Sequence, residues 1–238
     1  MSNSTSAKVE PLSVALEPAF VSRLTHDLRV PFAAVRSALY LLERHGSQLD
    51  GPKEKKWIEA ATSSLNSFER LLKGVDLYLH SLTCIPKTDA TCNLRELVKA
   101  EIAFTQDQHR GIAVTLNWDE NVPATQPIDG SLIALALRQL IDNAAKHAPA
   151  GQPPEIRLMA AQRGWELAVI NDGPAIPPHE EPKLFSPFFH SQSHRSDPGT
   201  GLGLAIARGV AEKSGCLLSH ARRDERTWFT LQFNASTR

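Results

Sequence analysis

The chain has 238 residues, with 26 lysines and arginines balanced by 26 aspartates and glutamates. That length allows one large domain or two small ones, and the cancelled charge gives no overall electrostatic case for nucleic acid or an anionic membrane surface. Cys84, Cys92 and Cys216 contain no CxxC pair, no apolar run nears about 18 residues and no leader pattern opens the chain, so it reads as cytoplasmic, without direct membrane insertion.

Residues 1–17 are rich in serine and then broken by proline, which predicts a flexible tail too short for a sensor domain. A helix is expected from Pro18, because Phe20, Leu24, Leu28, Val35, Leu39 and Leu42 recur at steps of three, four or seven until Gly46. After a polar turn, Pro52 suits the first position of a second helix. In it Ile58, Ala61, Leu65, Phe68, Leu72, Val75 and Leu79 form one apolar stripe, and Leu71 with Tyr78 begins another. Two stripes need two partners. The first helix can cover one, and a homodimer whose two hairpins (18–84) form a four-helix bundle is expected to cover the other.

Within RLTHDLRVP (23–31), His26 is two residues from both Leu24 and Leu28, about 200° round the helix from each, and so points outward. A neutral imidazole there can be nucleophile, base or metal ligand. Asp27 lies about 100° round from His26, and spacing alone would not pair them. Pro31 should kink the helix just beyond.

Residues 85–91, with Pro86, read as a linker to a second domain at 92–238. There the pattern predicts a helix at 94–104, a strand at 112–118, a helix at 131–147, a hairpin of 155–161 with 165–170, a helix at 204–214, and a hairpin of 217–222 with 227–233. The whole is an α+β protein: an antiparallel helical hairpin followed by a mixed α/β layer domain. Between 171 and 200 repeated prolines interrupt any periodicity, and a loop that long is functional or disordered.

Three stretches could carry chemistry. In the helix at 131–147, Gln139, Asn143, Lys146 and His147 make one polar stripe. An Asn carbonyl is a hard ligand for Mg²⁺, and a lysine one turn on can neutralise phosphate, although a solvated helix face has the same pattern. GTGLGL (199–204) sets three glycines at alternate positions before a helix, which lets backbone N–H groups approach an anion. It fits neither the P-loop nor the dinucleotide fingerprint. Asn171 and Asp172 end an apolar strand, where a side-chain oxygen could accept from an exocyclic amine or simply make a turn. His190 and His194 are four apart, but the proline-rich context promises no helix and no carboxylate joins them, so they do not read as a metal site.

The order of these stretches resembles the histidine kinases of two-component signalling, with a dimerisation and phosphoacceptor hairpin followed by a Bergerat-type ATP-binding domain. RLTHDLRVP is similar to the H box, LRQLIDNAAKHAP (137–149) to the N box, NDGPAI (171–176) to the G1 box, LFSPFF (184–189) to the F box and GTGLGLAIA (199–207) to the G2 box. The resemblance implies that His26 is phosphorylated and that Asp27 orients its imidazole or takes up its proton. It implies ATP and Mg²⁺ as cofactors, with Asn143 as metal ligand and Lys146 on phosphate. Gln139, His147, Asn171, Asp172, Gly173 and Phe189 would lie at the nucleotide, with Gly199, Thr200, Gly201, Leu202, Gly203 and Leu204 as the phosphate loop. Implied partners are a second copy, a response-regulator receiver domain and a separate input protein.

Four departures from the family pattern stand out. Gln139 replaces the first Asn of the N box, Asn171 the usual adenine-reading Asp, and Ala175 the second G1 glycine. Val30, one turn after His26, stands where phosphatase-active members carry Thr or Asn to position water, so weak phosphatase activity is expected. The main rival is a dimeric phosphotransfer or docking protein with a non-catalytic ATP domain. A serine kinase of the anti-sigma type would leave the histidine hairpin unexplained.

Overall fold

The computed structural model describes residues 17–45, 51–108, 112–191 and 199–234; residues 1–16 of the expected tail, the turn at 46–50 and His194 lie outside the described residues. Two long helices come first, α1 (Pro18–His45) and α2 (Gly51–Thr83). Proline can open α1 because the N–H it lacks would have had no intrahelical partner. Phe20, near the start of α1, stacks on Tyr78, near the end of α2, with ring centroids 5.1 Å apart, so the two helices pack antiparallel. The first helix continues through Pro31 as one element.

The remaining elements are β1 (Cys92–Asn93), α3 (Leu94–Gln108), β2 (Thr115–Trp118), β3 (Thr125–Gln126), α4 (Gly130–His147), β4 (Glu155–Ala161), β5 (Gly164–Asn171), α5 (Gly203–Lys213), β6 (Leu217–Arg223) and β7 (Arg226–Phe233). One sheet runs in the order β2-β4-β5-β7-β6, with β2 parallel to β4 and every other pairing antiparallel. Both expected hairpins are present, and only the last four residues of the strand expected at 112–118 pair. The two-residue strands β1 and β3 pair with each other; runs so short show no alternation to read.

Side chains alternate across a strand, and that alternation decides what reaches the site. On β5, Trp165, Leu167 and Val169 join the main core, packed with the apolar faces of α4 and α5, while Ala168 and Ile170 pack with Trp228 in a second cluster. Asn171 is the next odd-numbered position, so its side chain falls on the same side as Leu167 and Val169. Likewise β7 sends Phe229, Leu231 and Phe233 into the main core, and Thr227 precedes them in the same phase. In α4 Leu132, Ile133, Ala136, Leu137, Leu140, Ile141 and Ala144 are buried, leaving the opposite face to polar residues.

The helix pair does not stand apart from the sheet domain. Phe20, Leu71 and Cys84 belong to the same buried cluster as α4 and α5, and Phe20 also meets Phe188 with ring centroids 5.1 Å apart. Gly209 of α5 comes so close to α2 that a Cβ there would stand 2.7 Å from Ser81 Oγ. This alters the reading of the second helix. Of the two expected stripes, the one with Leu71 and Tyr78 is covered by Phe20 and the sheet domain, while on the other Ile58 (48%), Leu65 (51%) and Leu72 (46%), spaced by seven, stay exposed.

Candidate functional site

A cavity of about 180 Å³ lies between α4, the end of β5, the proline-rich loop and the glycine loop that opens α5. The fourth helix supplies Gln139, Asp142, Asn143, Lys146 and His147 to its wall, in steps of three and four that keep them on one face. Its N-terminus is fixed by Asp129, whose carboxylate accepts from Ser131 N at 3.1 Å and from Lys87 N at 3.0 Å. The second of these bonds ties the segment after α2 to α4.

One end of the cavity sets a lysine over the glycine loop. Lys146 Nζ would stand 3.5 Å from a Cβ at Gly199, so the ammonium overhangs the loop; it pairs with Asp142 one turn back. Gly201 has φ +68°, and a Cβ on it would meet His190 Nε2 and the Phe188 backbone, each at 2.8 Å. Only glycine fits both that conformation and that space. At Gly203 a Cβ would lie 3.2 Å from Gln139 Oε1, which puts the amide beside the third glycine.

The other end is apolar with a polar rim. Ile176, Leu184 and Phe229 line it, and Asn171, 3% exposed, enters beside its cross-strand partner Thr227. Arg222 Nη1 donates to Gly173 O at 2.6 Å and to Thr227 Oγ1 at 2.9 Å, holding the turn after β5 against β7.

Of the residues the resemblance puts at the nucleotide, the cavity gathers Gln139, Asn143, Lys146, His147, Asn171, Phe189, Gly199, Thr200, Gly201, Gly203 and Leu204. Asp172, Gly173 and Leu202 are not in its lining. Asp172 Oδ1 is 3.0 Å from Arg226 Nε. Gly173 packs where a Cβ would meet Asn171 Nδ2 at 2.5 Å and His147 O at 2.8 Å. Leu202 is fully buried beneath the loop, against Gly74 of α2. Sequence reasoning missed Asp142, Ile176, Leu184, His190, Thr227 and Phe229, all of which line the cavity. Asp142 had a local signal, its helical steps to Gln139 and Lys146, whereas Thr227 and Phe229 are brought there by the register of β7 on β5.

On α1 the side chain of His26 is 68% exposed while Leu24 and Leu28 pack against the core, as the helical rotation requires. His26 Nδ1 lies 2.9 Å from Asp27 Oδ1, and Arg23 Nε donates to Asp27 Oδ2 at 3.2 Å. The pair that spacing did not suggest is therefore formed: Asp27 reaches back to its neighbour with one oxygen and to the preceding turn with the other. A second groove, lined by Arg23, Lys183, Ser186, Pro187, Phe188, Phe189 and His190, adjoins the cavity and shares Phe189 and His190 with it. Burial holds the His190 imidazole below its usual pKa, Arg23 lowers it further, and Asp27 pulls it back up.

The model of the histidine kinase-, DNA gyrase B- and HSP90-like ATPase family matches residues 128–237, from just before the α4 N-cap onward. Sensor histidine kinase MtrB of Mycobacterium tuberculosis is 32% identical over 198 residues, covering 81% of this chain and 34% of MtrB. The solved mycobacterial sensor histidine kinase MprB superposes with a TM-score of 0.54 at 30% identity, covering 60% of this chain and 95% of that one. The chain belongs to the two-component sensor histidine kinases. Histidine kinase ThkA, solved in complex with response regulator protein TrrA, shares the fold over 92% of this chain and 62% of its own, with a TM-score of 0.74 at 22% identity. This kinase-family chain spans about a third of the length of MtrB, and among its described residues no helix is long and apolar enough to cross a membrane.

Proposed function

We propose that this protein is a cytoplasmic histidine kinase that phosphorylates His26 with Mg-ATP and passes the phosphoryl group to an aspartate of a response regulator. The observation that carries this reading is the adjacency of two half-sites: a glycine loop and Lys146 lining one cavity, and a groove beside it that joins Lys183, Phe188 and His190 to Arg23, one turn before His26 on α1.

The residues fit the groups the reaction needs. Triphosphate would lie along Gly199, Gly201 and Lys146, with the base at Asn171, a neutral acceptor weaker than a carboxylate. Among the described residues no cluster of three His, Cys, Asp or Glu is placed to hold a metal. A Mg²⁺ ion would then take the Asn143 carbonyl plus phosphate oxygens and water, and would offset charge on the transferring group. Asp27 Oδ1 lies 2.9 Å from Nδ1, and an ionised carboxylate there would accept from Nδ1–H and leave the lone pair on Nε2 free. Attack forms the Nε2–P bond as the bond from γ-phosphorus to the β,γ-bridging oxygen breaks and ADP leaves. Movement of 92–238 relative to 18–84 about the 85–91 linker would bring nucleotide and imidazole into line.

Two copies would pair through the exposed face of Ile58, Leu65 and Leu72 with Phe32 and Leu39, giving the four-helix bundle. Val30 is 61% exposed and presents an isopropyl group that cannot position water, so phosphatase activity towards the regulator is weak. Input would come from a separate protein or domain.

The test is label from γ-labelled ATP that is acid-labile, base-stable and absent in His26→Gln; label that survives the substitution defeats the assignment. Titration with Mg-ATP separates this reading from a docking protein that binds no nucleotide. Val30→Thr should raise loss of phosphate from the regulator, and a wild-type protein already fast in that assay would refute the role of Val30.

A further inference from the structure

We propose that Arg23 is a positioning residue for the phosphoacceptor: it holds Asp27 so that the His26 imidazole keeps its proton on Nδ1 and its lone pair on Nε2. The inference rests on the reading of His26 as the phosphorylated residue and adds a role for Arg23 that the resemblance does not assign. Arg23 precedes Asp27 by one helical turn, and its Nε donates to Asp27 Oδ2 at 3.2 Å while Asp27 Oδ1 faces His26 Nδ1 at 2.9 Å. An ionised carboxylate only accepts, so the imidazole must present N–H to it and leave the other nitrogen bare. A neutral imidazole otherwise divides its proton between both nitrogens, and the form protonated on Nε2 cannot attack phosphorus through that atom.

Adjacent residues on a helix point about 100° apart, so nothing in the helix geometry by itself aims Asp27 at His26. The guanidinium supplies that aim, because turning the carboxylate away from His26 would break an ion pair. The same side chain reaches further. Arg23 is the α1 residue that lines the groove formed by Lys183, Phe188 and His190, next to the cavity that would hold triphosphate. One side chain thus lines the groove beside the cavity and grips the carboxylate that orients the acceptor. Arg23 is not in the cavity lining, so its removal should alter turnover and leave nucleotide affinity alone.

The test is Arg23→Gln in the full chain with two measurements. The ¹⁵N shifts of the His26 ring should report the Nδ1–H tautomer in the wild type and a mixture in the variant. The autophosphorylation kcat should fall roughly two- to five-fold, the range expected for loss of an exposed ion pair, with KM for Mg-ATP unchanged. Arg23→Lys should recover part of the rate, and in an Asp27→Asn background Arg23→Gln should change nothing further. A raised KM, or a further loss of rate without Asp27, would make Arg23 a phosphate ligand and overturn the proposal, as would an unchanged tautomer. If the wild type takes up no phosphate, the kinase reading fails while the ring spectrum still decides whether Arg23 positions the imidazole.

Discussion

The contact between α2 and α5 makes the sharpest test of how the helix pair meets the sheet domain. Gly209→Ala adds a single carbon 2.7 Å from Ser81 Oγ, 3.2 Å from Ser81 Cβ and 3.3 Å from Ser81 O. Unbonded heavy atoms attract only near 3.5 Å or beyond, so α2 must shift or Ser81 must leave its rotamer. Neither is easy, because Ser81 is fully buried and its hydroxyl donates to Tyr78 O at 2.6 Å. Overpacking of this kind costs about 1–3 kcal/mol, and replacing glycine within a helix returns up to about 1 kcal/mol. The net expectation is a loss of about 1–2 kcal/mol. Ser81→Ala should be nearly neutral alone, since it gives up one local hydrogen bond. Combined with Gly209→Ala it removes the closest contact, leaving those at 3.2 and 3.3 Å, and should restore most of the loss. Urea unfolding of the four proteins, followed by tryptophan fluorescence and circular dichroism, closes the double-mutant cycle. If Gly209→Ala is as stable as the wild type, or its effect is the same with and without Ser81 Oγ, the packing argument is wrong.

Other expectations follow from the same geometry. Asn143→Ala should weaken Mg-ATP binding about tenfold or more in calorimetry, with a smaller loss for metal-free ADP; equal losses would remove Asn143 as metal ligand. Burial pushes the Cys216 thiol up to about 12. The unfolded thiol ionises near 9.0, so the stability it contributes is intact below that pH and is lost as pH rises towards about 12, amounting to about 1 kcal/mol by pH 10. Cys216→Ala should therefore flatten the fall in urea midpoint between pH 8 and 10, and rapid reaction of the folded thiol with a disulfide reagent at pH 8 would contradict its burial. Leu65→Glu with Leu72→Glu should lower the mass seen by light scattering from two chains to one and leave nucleotide binding intact; a wild type of one-chain mass at micromolar concentration removes the dimer.

What could be read from the sequence was what a residue's own neighbours decide. The periods of three and four in α4 and α5, and of two in β4, β5 and β7, come from burial on one face of a local element, so their places and the outward turn of His26 were legible. Asn171 was legible as a polar residue ending an apolar strand. Thr227 stands beside it only because β7 pairs with β5 in one register, and that depends on a partner 56 positions away in the chain. Asp172 shows the same limit from the other side. It shares a motif with Asn171, yet Arg226 draws its carboxylate to an ion pair that no local pattern announces. The long helices carry the point to the level of domains. Sequence showed that α2 had more apolar surface than α1 could cover, and the surplus was real, but which stripe stays open depends on where the sheet domain rests. Because Phe20, Phe188 and Gly209 bring that domain onto the Leu71 and Tyr78 side, the face left exposed is the heptad of Ile58, Leu65 and Leu72, the one the proposed dimer would use. Substitutions at Leu65 and at Gly209 therefore probe different faces of one helix, the proposed association with another chain and the docking within this one, and their effects should add.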